Sequence, residues 1–310
     1  MDCFEAGTLA PSMMSTDKSP VSVVVVSFNT IEKLKRCLGC IEKLHEVIVV
    51  DNASLDGSPE MVAKEFPEVR LVRNTDNVGF GVANNQGSDL STRDLILFLN
   101  SDAYADPGAI SELARVFDDL KVVAAGGMLL NPDRTLQESV AGKLSLWAVF
   151  LEQFFLDAAA RKVGLGYWQT DRLLQSLDES GQHGVDQVMG ACLMVRKGLE
   201  AFDPRFFLYC EDTDLCLRLR RHGEIVFTTR AQFVHDLGSS SAKDPALGII
   251  RYNRGKELFF LIHQGKLASM LCKALDKMGA FLRLLAWSII SIVRPSKRSK
   301  VGIFWRVLRG

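Results

Sequence analysis

The chain has 310 residues, of which 47% are hydrophobic and 24% are charged, and its formal net charge is zero. These globular proportions exclude a disordered chain and allow one large domain or two smaller ones to bury a core. Seven scattered cysteines indicate buried free thiols in a reducing compartment, not a disulfide framework. Cys37 and Cys40 form a C-x-x-C pair, which would need a second pair or nearby histidines to indicate zinc.

From Val21 onward, short apolar runs alternate with amphipathic patterns. Strands are predicted at VSVVVVSF, EVIVVD, EVRLVRN and DLILFLN, with helices at TIEKLKRCLGCIEKL, SPEMVAKEF and GVANNQGSDL between them. Apolar strands separated by amphipathic helices favour a mostly parallel sheet covered on both faces, as in doubly wound α/β domains.

The second half of the chain is less regular. VVAAGGMLL and VDQVMGACLMVRK look like strands on either side of an insertion, from about 144 to 182, that is rich in Leu, Phe and Trp. The short apolar run FFLY, a helix ended by Gly223 and the strand EIVFTT follow. The pattern from Arg251 onward is helical.

We divide the chain into three parts. Residues 1–19 lack the charged start and apolar core of a secretory signal and are expected to be a disordered tail. Residues 20–265 form the α/β domain, with a nucleotide-binding half at 20–103 and an acceptor-binding half at 104–265. Residues 266–310 form a basic amphipathic helical tail.

The tail holds ten Lys or Arg and one acid, Asp276. Its apolar run Phe281 to Val293 is too short to span a bilayer. This pattern favours docking on an anionic membrane surface. The alternative is a helix packed on the protein's own core.

Ligands of open parallel sheets bind at the carboxyl ends of the strands. These ends carry neither G-x-G-x-x-G nor G-x-x-x-x-G-K-[ST], so the sequence offers no dinucleotide fingerprint and no P-loop. They carry Asp, Asn and Ser, which suit hydrogen bonding to a nucleoside. The residues expected to contact a nucleotide are Ser27, Asn29, Asp51, Asn52, Ser54, Arg73, Asn77, Gly79, Asn84, Asn100 and Ser101.

Three of these features have alternative explanations. Turn chemistry and helix capping account for Asp56 and Gly57, yet leave Asp51 without a role. Gly79 and Gly81 serve either a flexible helix start or close backbone approach to a phosphate or sugar. Asp102 either caps the helix that begins near Pro107 or binds Mg²⁺ or Mn²⁺ beside a nucleoside diphosphate.

Glu211 and Asp212 stand at a predicted helix start, where acids are favourable for structural reasons alone. The preceding FFLY surrounds them with apolar groups, which raises a carboxyl pKa and suits a general base. Asp214 and Arg218 have the spacing of a helical ion pair. His235 is a structural histidine or a metal or phosphate contact.

The blocks VVVVSFN, VIVVDNASLDGS, NVGFGVANNQG, LFLNSDA, GACLMVRK, FFLYCEDTDLCLRLRRHG and VHDLGSSS, in this order, resemble the family 2 glycosyltransferases. The resemblance runs from Val21 to about Lys266 and implies the GT-A fold and inverting sugar transfer from a nucleotide donor. It implies nucleobase binding by Asp51, metal binding by Asp102 and His235, and a catalytic base at Asp212, with Glu211 in support.

Asn100 stands where many relatives have the first acid of D-x-D, and in this the chain is similar to rhamnosyltransferases. This likeness favours a dTDP-L-rhamnose donor and a polyprenyl-diphosphate-linked or glycan acceptor in cell-surface glycan synthesis. The expected enzyme is cytoplasmic, peripherally bound to the inner face of the membrane, and has no nucleic-acid partner.

Other functions fit parts of the pattern. A UDP- or GDP-sugar donor would keep the same site. A nucleotidyltransferase would usually need a Gly-rich basic loop after the first strand, which SFNTIEKL lacks. A non-catalytic membrane-associated scaffold would not need the acidic pair Glu211 and Asp212.

Overall fold

The computed structural model describes residues 19–175, 181–236 and 244–310. The strands are β1 (Val21–Ser27), β2 (Glu46–Asp51), β3 (Arg70–Arg73), β4 (Leu95–Asn100), β5 (Ala103–Ala105), β6 (Val122–Leu130), β7 (Val140–Ala141), β8 (Gln182–Gly184), β9 (Gln187–Val188), β10 (Cys192–Arg196) and β11 (Glu224–His235). The helices are α1 (Ile31–Gly39), α2 (Ser58–Glu65), α3 (Phe80–Leu90), α4 (Ala109–Arg115), α5 (Leu146–Gln153), α6 (Asp157–Lys162), α7 (Thr170–Leu174), α8 (Glu211–Leu219), α9 (Pro245–Gln264), α10 (Lys266–Val293) and α11 (Arg298–Arg309). Short 3₁₀ turns cover Val116–Asp118 and Pro295–Lys297.

The central sheet has the strand order β3-β2-β1-β4-β10-β6-β11-β5, and β8 pairs with β11. β1 is parallel to both β2 and β4, and β2 is parallel to β3. β10 is antiparallel to β4 and to β6, so β6 and its parallel neighbour β11 run in the direction of β4. Most strands therefore share one direction, and the predicted α/β fold with a mostly parallel sheet is confirmed.

The apolar run of β1 is buried because helices cover both faces of the sheet. Val23 and Val25 belong to a core cluster that includes Leu34 of α1, whereas Val24 belongs to the cluster on the opposite face. A side chain at Gly87 of α3 would meet the methyl groups of Val24, so this glycine lets the helix lie close to the strand. The helices on the two faces of the sheet therefore hold the ends of the strands in fixed positions.

Several predicted elements have different bounds in the structure. The first helix ends at Gly39, although the amphipathic pattern continued to Leu44. The segment VDQVMGACLMVRK is divided into β9 and β10, because a turn at residues 189–191 interrupts it. The strand predicted at EIVFTT continues as β11 to His235, past register shifts against β6. This extension brings His235 to the edge of the sheet where β4 ends.

The C-terminal helices pack against the insertion. α10 buries Ala268, Cys272, Asp276, Gly279 and Ala280 and leaves most of its remaining surface exposed. Lys256 of α9 is fully buried, with its Nζ 2.6 Å from Oδ1 of Asp276. Of the helices that the structure describes, none is long and apolar enough to cross a membrane.

Candidate active site

The ends of three neighbouring parallel strands bring their polar residues side by side. In the register of the sheet, Ser27 of β1 pairs with Asp51 of β2, and Val26 pairs with Asn100 of β4. Thr30 lies between these ends, because its hydroxyl is 3.2 Å from Oγ of Ser27 and donates to Oγ of Ser101 at 3.1 Å. The strand ends therefore form one continuous polar surface, as parallel strands require.

Asp51 has one free acceptor at this surface. The residue is 2% exposed, and its Oδ2 accepts the backbone N–H of Ser54 at 2.9 Å. Its Oδ1 is buried and has no hydrogen-bond partner among the residues that the structure describes. Because such a group is costly to leave unpaired, this oxygen is suited to accept an N–H from a ligand.

Hydrogen bonds connect the loop after β1 to the loop after β2. Asn29, with φ of 55°, donates its backbone N–H to Oγ of Ser54 at 2.8 Å and accepts the N–H of Leu55 at 2.8 Å. Asp56 accepts the N–H of Ile31 at 2.9 Å and so satisfies the start of α1. Gly57 has φ of 87°, as the turn chemistry predicted. These contacts fix the position of Asp51.

Most of the other predicted nucleotide contacts are engaged in loop structure. Asn52 donates to the carbonyl of Gly79 at 3.2 Å, and Asn77 accepts the Gly79 N–H at 3.0 Å. Asn84 donates to the carbonyl of Phe80 within α3, and Arg73 pairs with Glu60 at 2.8 Å on the outer edge strand. The role of these four side chains in nucleotide binding stays a prediction.

Gly79 allows a close approach between two segments of this chain. Its φ is 88°, and a Cβ there would lie 2.7 Å from the carbonyl oxygen of Phe207. That carbonyl accepts the N–H of Phe80 at 2.9 Å. The glycine thus lets the loop after β3 pack against the segment that precedes Glu211, and the sugar or phosphate contact predicted for it stays a prediction.

Asp102 and His235 meet beside the end of β4. The two residues are 7% and 6% exposed, and Nε2 of His235 lies 3.3 Å from Oδ1 of Asp102. β5 pairs antiparallel with β11, which places His235 opposite Ala103. Nδ2 of Asn100 lies 3.4 Å from the same Nε2. Neighbouring strands therefore position the two residues that the family resemblance assigned to metal binding.

Gln137 orients the His235 ring. Its Nε2 donates to the His235 carbonyl at 3.0 Å and to Oδ1 of Asn131 at 3.0 Å, so its Oε1 is the acceptor for His235 Nδ1 at 2.7 Å. A neutral ring that carries its proton on Nδ1 presents a lone pair at Nε2. This lone pair and the Asp102 carboxylate are donors that a divalent cation accepts.

The residues around Asp102 therefore fit a cation held by two protein ligands, with the remaining ligands supplied by a bound diphosphate or water. Across the described ranges, no group of three or more His, Cys, Asp or Glu side chains forms a complete metal site. Lys33 adds positive charge here, because its Nζ is 3.1 Å from Asp236 and 3.8 Å from Asp102. Residues 237–241 of the VHDLGSSS block lie outside the described ranges.

The acidic pair stands at the start of α8, directly after a strained turn. Tyr209 and Cys210 have φ of 74° and 66°, which L side chains adopt rarely. Such strain often occurs at functional sites. A Cβ at Gly255 of α9 would lie 2.6 Å from the Tyr209 carbonyl, so the helix backs the turn closely.

Two carboxyl groups of unequal exposure follow this turn. Asp212 is half-buried, and its oxygens accept the backbone N–H groups of Gly190 at 2.9 Å and Thr213 at 2.8 Å. Burial raises the pKa of Asp212 despite these two bonds. Glu211 is 5% exposed, and its Oε2 has no hydrogen-bond partner in the described residues.

Burial, together with the neighbouring Asp212 charge, raises the pKa of Glu211 to about 8. At neutral pH, Glu211 therefore holds its proton, whereas the two N–H groups that donate to Asp212 favour the ionised form of that carboxyl group. Asp212 also retains solvent access, which a group that reacts with a substrate needs. Of the two carboxyl groups, Asp212 is the one suited to act as a base.

A single turn connects Asp212 to the strand-end surface. Gly190 donates its N–H to Asp212, and the carbonyl of the next residue, Ala191, accepts the N–H of Asn100 at 3.1 Å. Consecutive Cα atoms are about 3.8 Å apart. Asp212 and the end of β4 therefore lie close to each other.

The sequence did not identify Gln137, Gly190 and Lys33 as parts of the site. Gln137 contacts the His235 ring but lies 98 residues earlier in the chain. Gly190 acts through a backbone group, although its segment GACLMVRK belongs to the resemblance. The predicted pair of Asp214 and Arg218 is present, with Arg218 Nε 2.9 Å from Oδ2 of Asp214, and Oδ1 of Asp214 also contacts His263 of α9 at 2.7 Å.

Comparison with known proteins agrees with this arrangement. Residues 22–157 match the model of Glycosyl transferase family 2. The chain is 26% identical over 265 residues to an N-acetylglucosaminyl-diphospho-decaprenol L-rhamnosyltransferase of Mycobacterium tuberculosis, an alignment that covers 79% of this chain and 84% of that protein. It is also 23% identical over 212 residues to the low-salt glycan biosynthesis hexosyltransferase Agl10 of Haloferax volcanii, covering 65% of this chain and 62% of that protein.

Solved structures show the same fold. The mannosyltransferase PcManGT of Pyrobaculum calidifontis, in complex with GDP-Man and Mn²⁺, matches 94% of this chain and 86% of its own, with a TM-score of 0.54 and 15% identity. GalNAc-T7 with UDP, GalNAc and Mn²⁺ matches 86% of this chain with a TM-score of 0.56 and 14% identity. This chain spans about half of the GalNAc-T7 chain, 51%.

The fold and the site together define a glycosyltransferase of the GT-A fold. Within that class, residues 22–157 match the family 2 glycosyltransferases, and the chain is similar to an L-rhamnosyltransferase. The predicted fold, the predicted family and the predicted enzyme class are confirmed.

Proposed function

We propose that this enzyme transfers L-rhamnose from dTDP-L-rhamnose to a polyprenyl-diphosphate-linked acceptor, with inversion at the anomeric carbon. The observation that carries the proposal is the Gly190–Ala191 turn, which contacts both Asp212 and Asn100. A base and a strand-end nucleotide site that lie close to each other are the two parts that direct displacement requires. The similarity to the mycobacterial rhamnosyltransferase supports the choice of donor sugar and acceptor.

Asp51 would recognise the nucleobase. The N3–H of thymine or uracil is a donor of the kind that its buried, unpartnered Oδ1 can accept. Guanine presents a different edge but also carries a ring N–H, at N1, so this contact alone allows a UDP- or GDP-sugar donor. The preference for dTDP therefore rests on the rhamnosyltransferase likeness.

Asp102 and His235 would hold Mg²⁺ or Mn²⁺, which would offset the charge of the departing diphosphate. Gln137 keeps the Nε2 lone pair of His235 directed toward Asp102. Lys33, 3.8 Å from Asp102, adds a fixed cation to the same region.

Asp212 would remove the proton of the acceptor hydroxyl. The hydroxyl oxygen then forms a bond to the anomeric carbon on the face opposite the diphosphate, while the bond from that carbon to the diphosphate oxygen breaks. The products are the inverted glycoside and the nucleoside diphosphate. Glu211 keeps its proton at neutral pH, so Asp212 is the carboxyl group of the pair that is proposed to accept the proton.

The acceptor in the name of the mycobacterial relative is N-acetylglucosaminyl-diphospho-decaprenol. An acceptor of this class has its prenyl chain in a membrane, which would bring the enzyme to the cytoplasmic face of the cell membrane as a peripheral protein. The product would enter cell-surface glycan synthesis.

The test of the donor is a thermal-shift series with dTDP-, UDP- and GDP-sugars, with and without Mg²⁺ or Mn²⁺. A ligand that binds only the folded state raises stability in proportion to RT ln(1 + [L]/Kd), so the true donor gives the largest shift. We expect Asp51→Asn to weaken donor binding about 10- to 100-fold. Asp76→Asn, at an exposed position after β3, is the matched control and should bind normally.

Transfer is then measured with dTDP-L-rhamnose and an N-acetylglucosaminyl-diphospho-lipid, and the product is identified by its added deoxyhexose mass. Turnover with a UDP- or GDP-sugar and none with dTDP-L-rhamnose would overturn the donor assignment. Release of pyrophosphate from a nucleoside triphosphate and a sugar phosphate would favour a nucleotidyltransferase instead.

A further inference from the structure

The outer face of α10 carries a continuous apolar stripe. Its members are separated by three or four residues, so they fall on one side of the helix. The helix has 28 residues and is about 42 Å long. The stripe consists of the exposed residues Leu267, Leu271, Ala274, Met278, Phe281, Leu285, Ile289 and Ile292.

This stripe is not covered by the rest of the described chain. Ile289 and Ile292 are 66% and 79% exposed, and Phe281 at the centre is 51% exposed. The opposite face of α10 is the one that packs, through Cys272 and Ala280. Exposed apolar surface of this extent marks an interaction site in a soluble protein.

The insertion covers the other face of α10. Arg283 of α10 donates to the carbonyls of Glu152 at 2.9 Å and Gln153 at 3.0 Å, which joins the end of α5 to the middle of α10. Arg283 is two residues from both Phe281 and Leu285, so it lies on the side of the helix opposite the stripe. The contact with the insertion therefore leaves the stripe uncovered.

Positive charge lies along one border of this surface and beyond its end. Lys266, Lys273 and Lys277 each precede a stripe position by one residue, so they lie along one border of the stripe. Lys273 also pairs with Glu257 at 3.6 Å, and Lys277 donates to the carbonyl of Val307 at 3.2 Å. Arg294, Lys297, Arg298 and Lys300 follow the end of α10 and are exposed. Beyond them, Arg309 lies 4.6 Å from the exposed Trp305 ring. Apolar residues bordered by Lys, Arg and Trp are typical of a helix that lies in a membrane interface.

We propose that the α10 stripe is the surface that docks the enzyme on an anionic membrane. A coiled coil with a second copy fits the spacing but not the charges. The one acid in residues 266–310, Asp276, is buried against Lys256, so the α10 helix of a second copy would bring lysines and no exposed acid to this border. The choice of a membrane rests on the proposed lipid-linked acceptor, and the charge pattern supports it independently.

The test uses the full chain and vesicles of phosphatidylcholine with or without phosphatidylglycerol. We expect sedimentation with the anionic vesicles, weakened by added salt. The double variant Phe281→Glu, Leu285→Glu should reduce partitioning about tenfold or more, because two apolar contacts are lost and two like charges face the lipid. Leu120→Glu is the control, since Leu120 is 84% exposed after the 3₁₀ turn and lies outside this surface.

Vesicle binding by the double variant equal to that of the parent chain would overturn the proposal. So would a parent chain that is dimeric and ignores vesicles, if the double variant is monomeric, because a second copy would then be the occupant. The docking result is separable from the proposed reaction. The Asp212→Asn variant should still bind vesicles, and the double variant should still glycosylate a short-chain acceptor dissolved in water.

Discussion

Gly190 donates its backbone N–H to Oδ2 of Asp212 over 2.9 Å, and a Cβ at Gly190 would lie 3.1 Å from that same oxygen. The glycine thus provides a hydrogen bond to Asp212, the proposed base, and leaves the space in which its carboxylate lies. The contact also explains how a half-buried carboxylate is held in one orientation beside the strand-end surface.

The first prediction concerns Gly190→Ala. The added methyl group must displace Asp212 by a few tenths of an ångström, because 3.1 Å is closer than ordinary van der Waals contact. Transfer should fall about 10- to 100-fold, since small displacements of a reacting group are costly. Donor binding, measured by thermal shift, should stay within about twofold of the parent, because Asp51 and Asp102 are not displaced. If Gly190→Ala loses donor binding as well as transfer, the turn supports the whole fold instead of positioning Asp212 alone.

The second prediction separates the two adjacent acids. Asp212→Asn removes the base and should lower kcat by about 10² to 10⁴. Glu211→Gln keeps the shape of a side chain that is already protonated at neutral pH, and it should retain most of kcat. Single-turnover transfer assays at pH 7 compare the pair directly. A large loss of kcat in Glu211→Gln, together with a near-normal kcat in Asp212→Asn, would show that Glu211 is the base instead.

The strand ends could be predicted from the sequence because parallel strands deliver their last residues to one edge whatever the loops do. Asp51, Asp102 and Asp212 each lie in a recognisable block. The structure places Asp51 at the end of β2 and Asp102 just after β4, and it connects Asp212 to the end of β4 through Gly190 and Ala191. Gln137 and the Gly190 N–H could not be predicted, because a partner 98 residues away and a backbone donor leave no pattern in one sequence. The sequence predicts Asn52, Asn77 and Asn84 as nucleotide contacts, and this stays a prediction. In the structure the side chains of Asn52 and Asn77 bond to Gly79, and that of Asn84 bonds to the Phe80 carbonyl within α3, because the same amide groups can serve both purposes.

The third prediction concerns stability and pH. The pKa of Glu211 is raised to about 8 in the folded chain, above its usual value near 4.5. The folded state therefore binds more protons than the unfolded state between these values, so the free energy of unfolding falls as pH rises from about 4.5 to 8. Glu211→Gln should abolish this fall in the free energy of unfolding, which amounts to a few kcal/mol in order of magnitude. Urea unfolding at pH 5 and pH 9 measures this, and an equal pH dependence in parent and variant would contradict it.

The fourth prediction concerns the His235 partner. Gln137→Leu removes the acceptor at Nδ1 and leaves the ring free to turn, so Mn²⁺ affinity in the presence of dTDP should fall about 10- to 100-fold. Mn²⁺ electron paramagnetic resonance reports binding without any turnover. Gln137→Glu keeps an acceptor for Nδ1 and should bind Mn²⁺ more tightly than Gln137→Leu. Equal affinity in the two variants would mean that His235 does not depend on Gln137.

The fifth prediction concerns the buried pair of Lys256 and Asp276, which joins α9 to α10. Lys256 Nζ is fully buried, 2.6 Å from Asp276, and Gln153 of α5 donates to the same carboxylate at 3.0 Å. Lys256→Met leaves Asp276 charged and without its cation and should cost about 3 to 5 kcal/mol of unfolding free energy.

The double variant Lys256→Met, Asp276→Leu should lose less unfolding free energy than the two single variants lose together, because neither member of the pair is left as an uncompensated charge. Urea unfolding of the parent, the single variants and the double variant gives the coupling energy. Additive losses would show that the two charges do not stabilise each other.

The pair of Lys256 and Asp276 also decides how membrane docking should be tested. Truncation at Gly265 would leave Lys256 buried without Asp276, so a loss of vesicle binding could follow from unfolding alone. Point substitutions on the exposed face of α10 avoid this problem, because they leave the packed face of the helix intact.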